Sequence, residues 1–214
     1  MAWTVLIPAK SLPGAKTRLA VDPLAPHVHP QLVRAIRADT VAAAAACPDV
    51  GRVVLVLDRA GEPIPDGVLT HVQHDAGLNA GLAEAAAAAT ARWPGDGVVA
   101  LVGDLPAVRP DELATALGAL DSGRGFVRDR AGTGTTLLAA ASGLLDPAFG
   151  PGSAERHAAS GAAELPAGPG LRCDVDTVDD LVQALRLGAG PATSAVEMDL
   201  ADDGPPCRVH LDSA

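Results

Sequence analysis

Apolar residues along this chain fall into two patterns. Short aliphatic runs predict buried strands, and longer stretches with apolar positions three and four apart predict helices. Ala2 to Ala9 reads as a first buried strand, followed by a loop to about Pro30. Gln31 to Cys47 then reads as a helix that carries the alanine run Ala42 to Ala46 and stops at Pro48. Arg52 to Leu57 is valine- and leucine-rich throughout, the mark of a central parallel strand buried on both faces. Leu69 to Gln73 predicts a third strand, Gly77 to Trp93 an alanine-rich helix stopped by Pro94, Val98 to Val102 a fourth strand, and Asp111 to Leu120 a helix behind Pro110.

Beyond residue 120 the expected elements are strands at Gly125 to Arg128 and Thr135 to Ala140, and a short helix from Ser153 to Ser160. A last strand at Leu171 to Val175 and a last helix at Thr177 to Leu187 follow, the helix opening on a capping box of Thr177 and Asp180. Residues 189–214 are rich in Gly, Pro and Asp and are expected to be loosely attached or to lie along an edge. The division is therefore one domain over 1–188 and a C-terminal tail over 189–214, with no internal repeat.

Alternating strands and helices through residue 120 imply right-handed βαβ units on a largely parallel sheet. Ligands of such sheets bind beyond the carboxyl ends of the strands. The loops after Ala9, Gln73, Val102 and Cys173 are thereby placed on one rim.

Composition narrows what that rim can bind. At 214 residues, 48% hydrophobic and 20% charged, the chain suits one soluble domain with a buried core. No apolar run approaches the roughly 20 residues that span a membrane, and the first residues lack the basic start and cleavage site of a signal peptide. Three widely spaced cysteines fit neither a disulfide framework nor a zinc site, so the expectation is a cytoplasmic protein. A net charge of −10 and only two Phe, two Trp and no Tyr argue against nucleic acid as a partner. An acidic protein that binds an anion needs a local cationic site, a metal ion, or both. Lys10 and Lys16 are the only lysines of the chain, and both fall in the first loop. That placement suggests compact ammonium charges for phosphate, against the plainer reading of two solvated surface lysines.

Five motifs carry candidate chemistry. The loop Ile7-Pro8-Ala9-Lys10-Ser11-Leu12-Pro13-Gly14-Ala15-Lys16-Thr17-Arg18-Leu19 can wrap a triphosphate with Lys10, Lys16 and Arg18. It has neither the Gly-Lys-Ser/Thr of a P-loop nor dinucleotide-site glycines. In Val102-Gly103-Asp104-Leu105-Pro106, Asp104 follows a buried strand at the rim, either as a Mg2+ ligand or as a turn cap. Asp174 and Asp176 of Cys173-Asp174-Val175-Asp176-Thr177 share a face of extended chain and could hold Mg2+ with Asp104, although Asp176 could instead cap the next helix. Gly132-Thr133-Gly134-Thr135-Thr136 and Phe149-Gly150-Pro151-Gly152-Ser153 are either ordinary Gly-rich turns or an anion site. The anion site would be made by free N–H groups at the helix start, the Ser153 hydroxyl and Thr135. In Asp75-Ala76-Gly77-Leu78-Asn79, Asp75 or Asn79 could read a base or ribose, while His71 and His74 are read as structural or exposed. No Ser/His/Asp or Cys–His nucleophile set is present.

In that order, IPAK…AKTRL, DAGLNAGL, GDLP, GTT, FGPGS and CDVDT resemble the phosphoenolpyruvate or 2-phospho-L-lactate guanylyltransferases of deazaflavin coenzyme F420 biosynthesis. The resemblance runs from about Val5 to Leu187. It implies a single-domain, Rossmann-like nucleotide-diphospho-sugar transferase fold of the nucleotidyltransferase superfamily, with a mostly parallel central sheet flanked by helices. It further implies transfer of GMP from GTP to a small phosphorylated acid, with Mg2+ as cofactor and a downstream transferase of the coenzyme pathway as a partner. Carried over by position, Lys16 and Arg18, with Lys10 nearby, would contact the GTP phosphates, and Asp104, Asp174 and Asp176 would hold Mg2+. Lys16, Arg18 and Asp104 would form the catalytic set. Thr135, Gly150 and Ser153 match positions that bind phosphoenolpyruvate, and Asn79 lies where the superfamily approaches the nucleoside. The related molybdenum-cofactor enzymes begin with a Gly-Gly loop where Ala9-Lys10 stands here. Phosphoenolpyruvate is favoured as acceptor by the actinobacterial character of the composition; 2-phospho-L-lactate and 3-phosphoglycerate are the alternatives, and a non-catalytic nucleotide-sensing module is the alternative of another class.

Overall fold

The computed structural model of the chain describes residues 1–9, 28–61, 63–74 and 77–202. Seven strands form one sheet: β1 Trp3–Ala9, β2 Val50–Leu57, β3 Leu69–Val72, β4 Gly97–Leu101, β5 Arg124–Arg128, β6 Thr135–Ala140 and β7 Ala163–Glu164. Their order across the sheet is β3-β2-β1-β4-β6-β5-β7. β1 pairs in parallel with β2 and β4, β2 with β3, and β5 with β7, whereas β6 runs antiparallel to both β4 and β5. A single reversed strand thus sits within an otherwise parallel sheet, and the β5–β6 hairpin turns back towards the rim where β4 ends.

The helices are α1 Val28–Ala46, α2 Leu78–Arg92, α3 Pro110–Gly118, α4 Ser153–Ala159, α5 Val178–Leu187 and α6 Pro191–Asp202. Both faces of β1 are buried, which explains its unbroken apolar run. Trp3, Val5, Ile7 and Ala9 face Val41 and Ala44 of α1 and Leu113, Ala116 and Leu117 of α3. Leu6 faces the opposite core, with Leu82, Ala85, Ala86 and Ala89 of α2 and Ala154 of α4. The alanine-rich stripes let these helices lie close on the sheet. A third cluster joins Leu32 and Ile36 of α1 to Leu181 and Ala184 of α5, with Cys173 and Val175 between them.

Two features differ from the sequence reading. Leu171 to Val175, expected as a strand, joins no ladder: it starts in a turn at Leu171 and Arg172, and β1 and β6 already flank β4. The segment instead crosses the end of β4, where the Val175 N–H donates to the Asp104 carbonyl at 3.0 Å and the Thr136 hydroxyl donates to the Leu171 carbonyl at 2.7 Å. The two-residue β7, which carries no run of apolar residues, forms the sheet edge instead. The second difference lies past residue 188, in the segment expected to be loosely attached or edge-packed. There Gly188 ends α5 and Pro191 opens α6, so the Gly/Pro punctuation marks a helix boundary. α6 packs on α1. The buried Asp39 of α1 caps α6, accepting from the N–H groups of Ala192 at 3.0 Å and Thr193 at 2.8 Å. No helix among the described residues is long and apolar enough to cross a membrane.

This cap is testable. Asp39→Ala removes both acceptors from the start of α6 and should lower stability by about 2 kcal/mol in urea unfolding. An unchanged midpoint would show that α6 is held by its apolar contacts alone.

Candidate active site

The carboxyl ends of the strands do converge on a cleft. Its volume is about 410 Å³, and its lining includes Asp129, Thr135, Gly150, Ser153, Asp174 and Asp176. Its lining combines two kinds of chemistry: carboxylates, and hydroxyls with a glycine loop.

The carboxylate side starts behind the lining with Asp104, in the loop after β4, whose charge acts on Asp174. Gly103 lets this loop pass close to the end of β1, since a Cβ there would lie 3.1 Å from the Pro8 carbonyl oxygen and 3.2 Å from Ile7. Thr40 of α1 fixes the next residue, its hydroxyl accepting from the Leu105 N–H at 3.0 Å. The backbone bond from Val175 to Asp104 then lays residues 173 to 176 alongside. Leu171, Cys173 and Val175 turn into the core, so Asp174 and Asp176 share the outward face and both line the cleft. Thr177, not Asp176, caps α5: its hydroxyl accepts from the Asp180 N–H, and the Asp180 carboxylate accepts from the Thr177 N–H in return. That releases Asp176 from the capping role.

Burial pushes the Asp174 carboxyl up to about 7, and the charges of Asp104, Asp176 and Asp129 push in the same direction. Asp129 was not anticipated as a site residue. Its carboxylate accepts from the N–H groups of Thr133 at 2.9 Å and Gly134 at 2.8 Å, tying down the turn between β5 and β6. An Asp four residues before a Thr-Gly turn is a signal that turn chemistry could have supplied. Among the described residues no group of three or more His, Cys, Asp or Glu side chains is gathered as a metal cluster.

The hydroxyl side is built from β6, the 149–153 loop and α4. Gly150 has φ 118°, a conformation that favours glycine. Of the N–H groups at the start of α4, two are already engaged. The Ser153 N–H donates to the Gly150 carbonyl at 3.0 Å and the Ala154 N–H to the Thr133 carbonyl at 3.1 Å. The side chains of Ser153 and Thr135 are both buried at the cleft lining. Asn79, at the start of α2, uses its amide on the same loop, accepting from the Phe149 N–H at 2.8 Å and donating to the Phe149 carbonyl at 3.1 Å. His71 and His74 both pair with Glu84, at 3.1 and 2.6 Å, away from the cleft. Asp75, Lys10, Lys16 and Arg18 lie outside the described residues. β1 ends at Ala9, immediately before Lys10 in sequence, at the same rim.

Solved structures share the architecture. A protein of Desulfovibrio desulfuricans G20 assigned to the nucleotide-diphospho-sugar transferases superposes with a TM-score of 0.72 at 18% identity, over 94% of this chain and 96% of that one. A nucleotidyl transferase of Methanothermobacter gives a TM-score of 0.54 at 18% identity, over 86% and 98%. These likenesses concern the fold. Sequence relatives go further. The phosphoenolpyruvate guanylyltransferase of Geodermatophilus obscurus is 50% identical over 91% of this chain and 94% of its own length. Those of Nocardia farcinica and Streptomyces coelicolor are 47% and 48% identical, over 96% and 92% of this chain and 93% and 96% of theirs. This chain belongs to the phosphoenolpyruvate guanylyltransferase family. No family model matches it.

For a guanylyltransferase of this family the raised carboxyl of Asp174 has a measurable consequence. The folded chain holds that proton more tightly than the unfolded chain does. Its contribution to stability is therefore fully present below the ordinary carboxyl range near 4 and is lost as pH rises to about 7. Asp174→Asn should flatten this decline and make the ligand-free protein more stable at pH 8, by a few kcal/mol at most. Urea unfolding at pH 5 and pH 8 measures it. Loss of stability at pH 8 in the Asp174→Asn variant would refute the crowding of charge at this wall.

Proposed function

We propose that this chain transfers GMP from GTP to phosphoenolpyruvate, giving enolpyruvoyl-2-diphospho-5'-guanosine and pyrophosphate, in the biosynthesis of the deazaflavin coenzyme F420. The observation that supports it most is the cleft whose lining brings Asp174 and Asp176 together with Thr135, Gly150 and Ser153, with the charge of Asp104 acting on Asp174, in a family member 42–50% identical to phosphoenolpyruvate guanylyltransferases.

Each wall has a task in this reaction. Thr135 and Ser153 donate to the acceptor, with Gly150 leaving room for its approach. Lys16 and Arg18, helped by Lys10, neutralise the triphosphate and the pyrophosphate that leaves. Asp104, Asp174 and Asp176 supply oxygen donors of the kind Mg2+ takes, and their mutual repulsion is what a hard cation would relieve. Mg2+ usually shares its coordination with substrate phosphates and water rather than taking all its donors from protein. Bound there, Mg2+ would supply charge stabilisation at the α-phosphate. Asn79 serves the nucleoside side of the site, alongside its hold on Phe149.

The acceptor's phosphate oxygen attacks the α-phosphorus in line. A phosphate monoester has a second pKa of about 6, so its nucleophile is already ionised at neutral pH. No general base is required, and no histidine lines the cleft among the described residues. The product is a mixed diphosphate, activated for a downstream transferase that releases GMP.

Pyrophosphate release from GTP and Mg2+ should occur with phosphoenolpyruvate and be at least tenfold slower with 2-phospho-L-lactate or 3-phosphoglycerate. Release with another acceptor alone would reassign the substrate, and Mg2+-dependent GTP binding with no release would turn the assignment towards a sensing module. Asp104→Asn should lower kcat by about a hundredfold or more with an unchanged far-ultraviolet dichroism spectrum. Near-normal turnover would remove Asp104 from the metal set.

A further inference from the structure

His157 is a fully buried imidazole that the transfer reaction does not itself use. It lies on α4, directly behind the acceptor wall, and both of its ring nitrogens are engaged. The backbone N–H of Ala148 points at Nε2 over 3.0 Å. A backbone N–H can only donate, so Nε2 is the unprotonated nitrogen. In a neutral ring the proton then resides on Nδ1. Burial, with Arg156 and Arg124 nearby, lowers the pKa of this imidazole to about 4, which keeps the ring neutral at physiological pH.

Nδ1 is 2.9 Å from the Thr135 hydroxyl oxygen. With the proton on Nδ1, the ring donates and Thr135 accepts. The single hydroxyl proton of Thr135 is thereby turned away from the ring, and Thr135 lines the cleft. The ring is also held in place: Phe149 meets it edge-on at 5.3 Å and Phe126 lies tilted at 6.1 Å. One imidazole thus spans from the backbone of the 148–150 loop to the side chain of β6.

We propose that His157 is a positioning residue for the acceptor: the Ala148–His157–Thr135 hydrogen-bond chain fixes the Thr135 hydroxyl as a donor into the cleft, towards an anionic oxygen of the phosphoacid. The inference rests on the reading of Thr135 as an acceptor contact. Without the ring, the hydroxyl is free to turn its proton elsewhere or to accept, and an anionic oxygen loses its oriented partner. A charge-assisted hydrogen bond lost in this way raises KM for the acceptor by about ten- to a hundredfold. KM for GTP, which meets the other wall, should stay within a factor of about two of the wild-type value.

Two measurements test this. Nitrogen-15 NMR of the ring in the intact wild-type protein should show the proton on Nδ1; a proton on Nε2, or a charged ring at pH 7, overturns the proposal with no variant needed. The second is a double-mutant cycle of acceptor KM using His157→Phe, which keeps an aromatic ring in the core, and Thr135→Val. His157→Phe should raise acceptor KM in the wild-type background and add little in the Thr135→Val background, while GTP KM is unmoved. Equal effects in both backgrounds, or a parallel rise in GTP KM, would mean that His157 serves only to support the fold. If His157→Phe does not fold, His157→Asn takes its place in the same cycle. An unchanged acceptor KM in Thr135→Val alone overturns the acceptor role of Thr135, whereas an effect of Thr135→Val with none of the His157 variant overturns only the positioning role.

Discussion

Carboxylates that repel one another at the end of β4 set the terms for the rest of the site. Asp104 arrives there on the loop that follows β4, and Asp174 and Asp176 arrive on a segment pinned to that loop by the Val175–Asp104 backbone bond. Asp129 adds a fourth negative charge from the β5–β6 turn. The resulting push on Asp174 is a standing penalty on the empty protein at neutral pH, in a chain whose net charge is already −10. Such an arrangement is stabilised by what binds to it. A cation bound there would relieve the repulsion, and a phosphate held through it would gain affinity in the same measure.

The side of the cleft that carries Thr135 and Ser153 is built differently. Its polar groups are held by a connected set of hydrogen bonds: Asn79 holds Phe149, His157 holds Ala148 and Thr135, and Ala154 holds Thr133. These contacts join the start of α2, the 148–150 loop, β6 and the β5–β6 turn. The 148–150 loop is therefore referred both to the start of α2 and to the strand that carries Thr135. A pocket for a three-carbon acid offers few contacts, so small displacements of any one of them matter, and rigid support is worth more here than additional donors.

Much of this was legible in the sequence, and the failures have identifiable physical causes. Strands β1, β2 and β4 announced themselves by apolar runs, because both of their faces are buried. The rim position of Asp104 followed from the parallel βαβ pattern, and the shared face of Asp174 and Asp176 from their i, i+2 spacing. That spacing held even though residues 171–175 joined no ladder: alternation reports which side chains are buried, not whether the backbone finds a strand to pair with. β7 was invisible because two exposed residues carry no periodicity. α6 was missed because its start is stabilised by Asp39, far earlier in the chain, and long-range caps leave no local signature. His157 was passed over for the same reason. Its partners Ala148 and Thr135 are brought to it only by folding, and on the sequence it is one histidine in a short alanine-rich helix.

That no histidine lines the cleft among the described residues and that one is buried behind it are two sides of one constraint. The nucleophile of this transfer is a phosphate oxygen that ionises with a pKa of about 6, so proton abstraction contributes little to the barrier. What limits the reaction is bringing two polyanions together in line, which calls for charge on one wall and aimed donors on the other. A titrating histidine at the acceptor would change its charge across the physiological range and alternate between donor and acceptor. Placed behind Thr135, with its pKa held near 4, the same ring stays neutral and keeps one tautomer. Its chemistry is then reduced to a fixed direction, and that direction is passed on through a hydroxyl too weakly acidic to titrate.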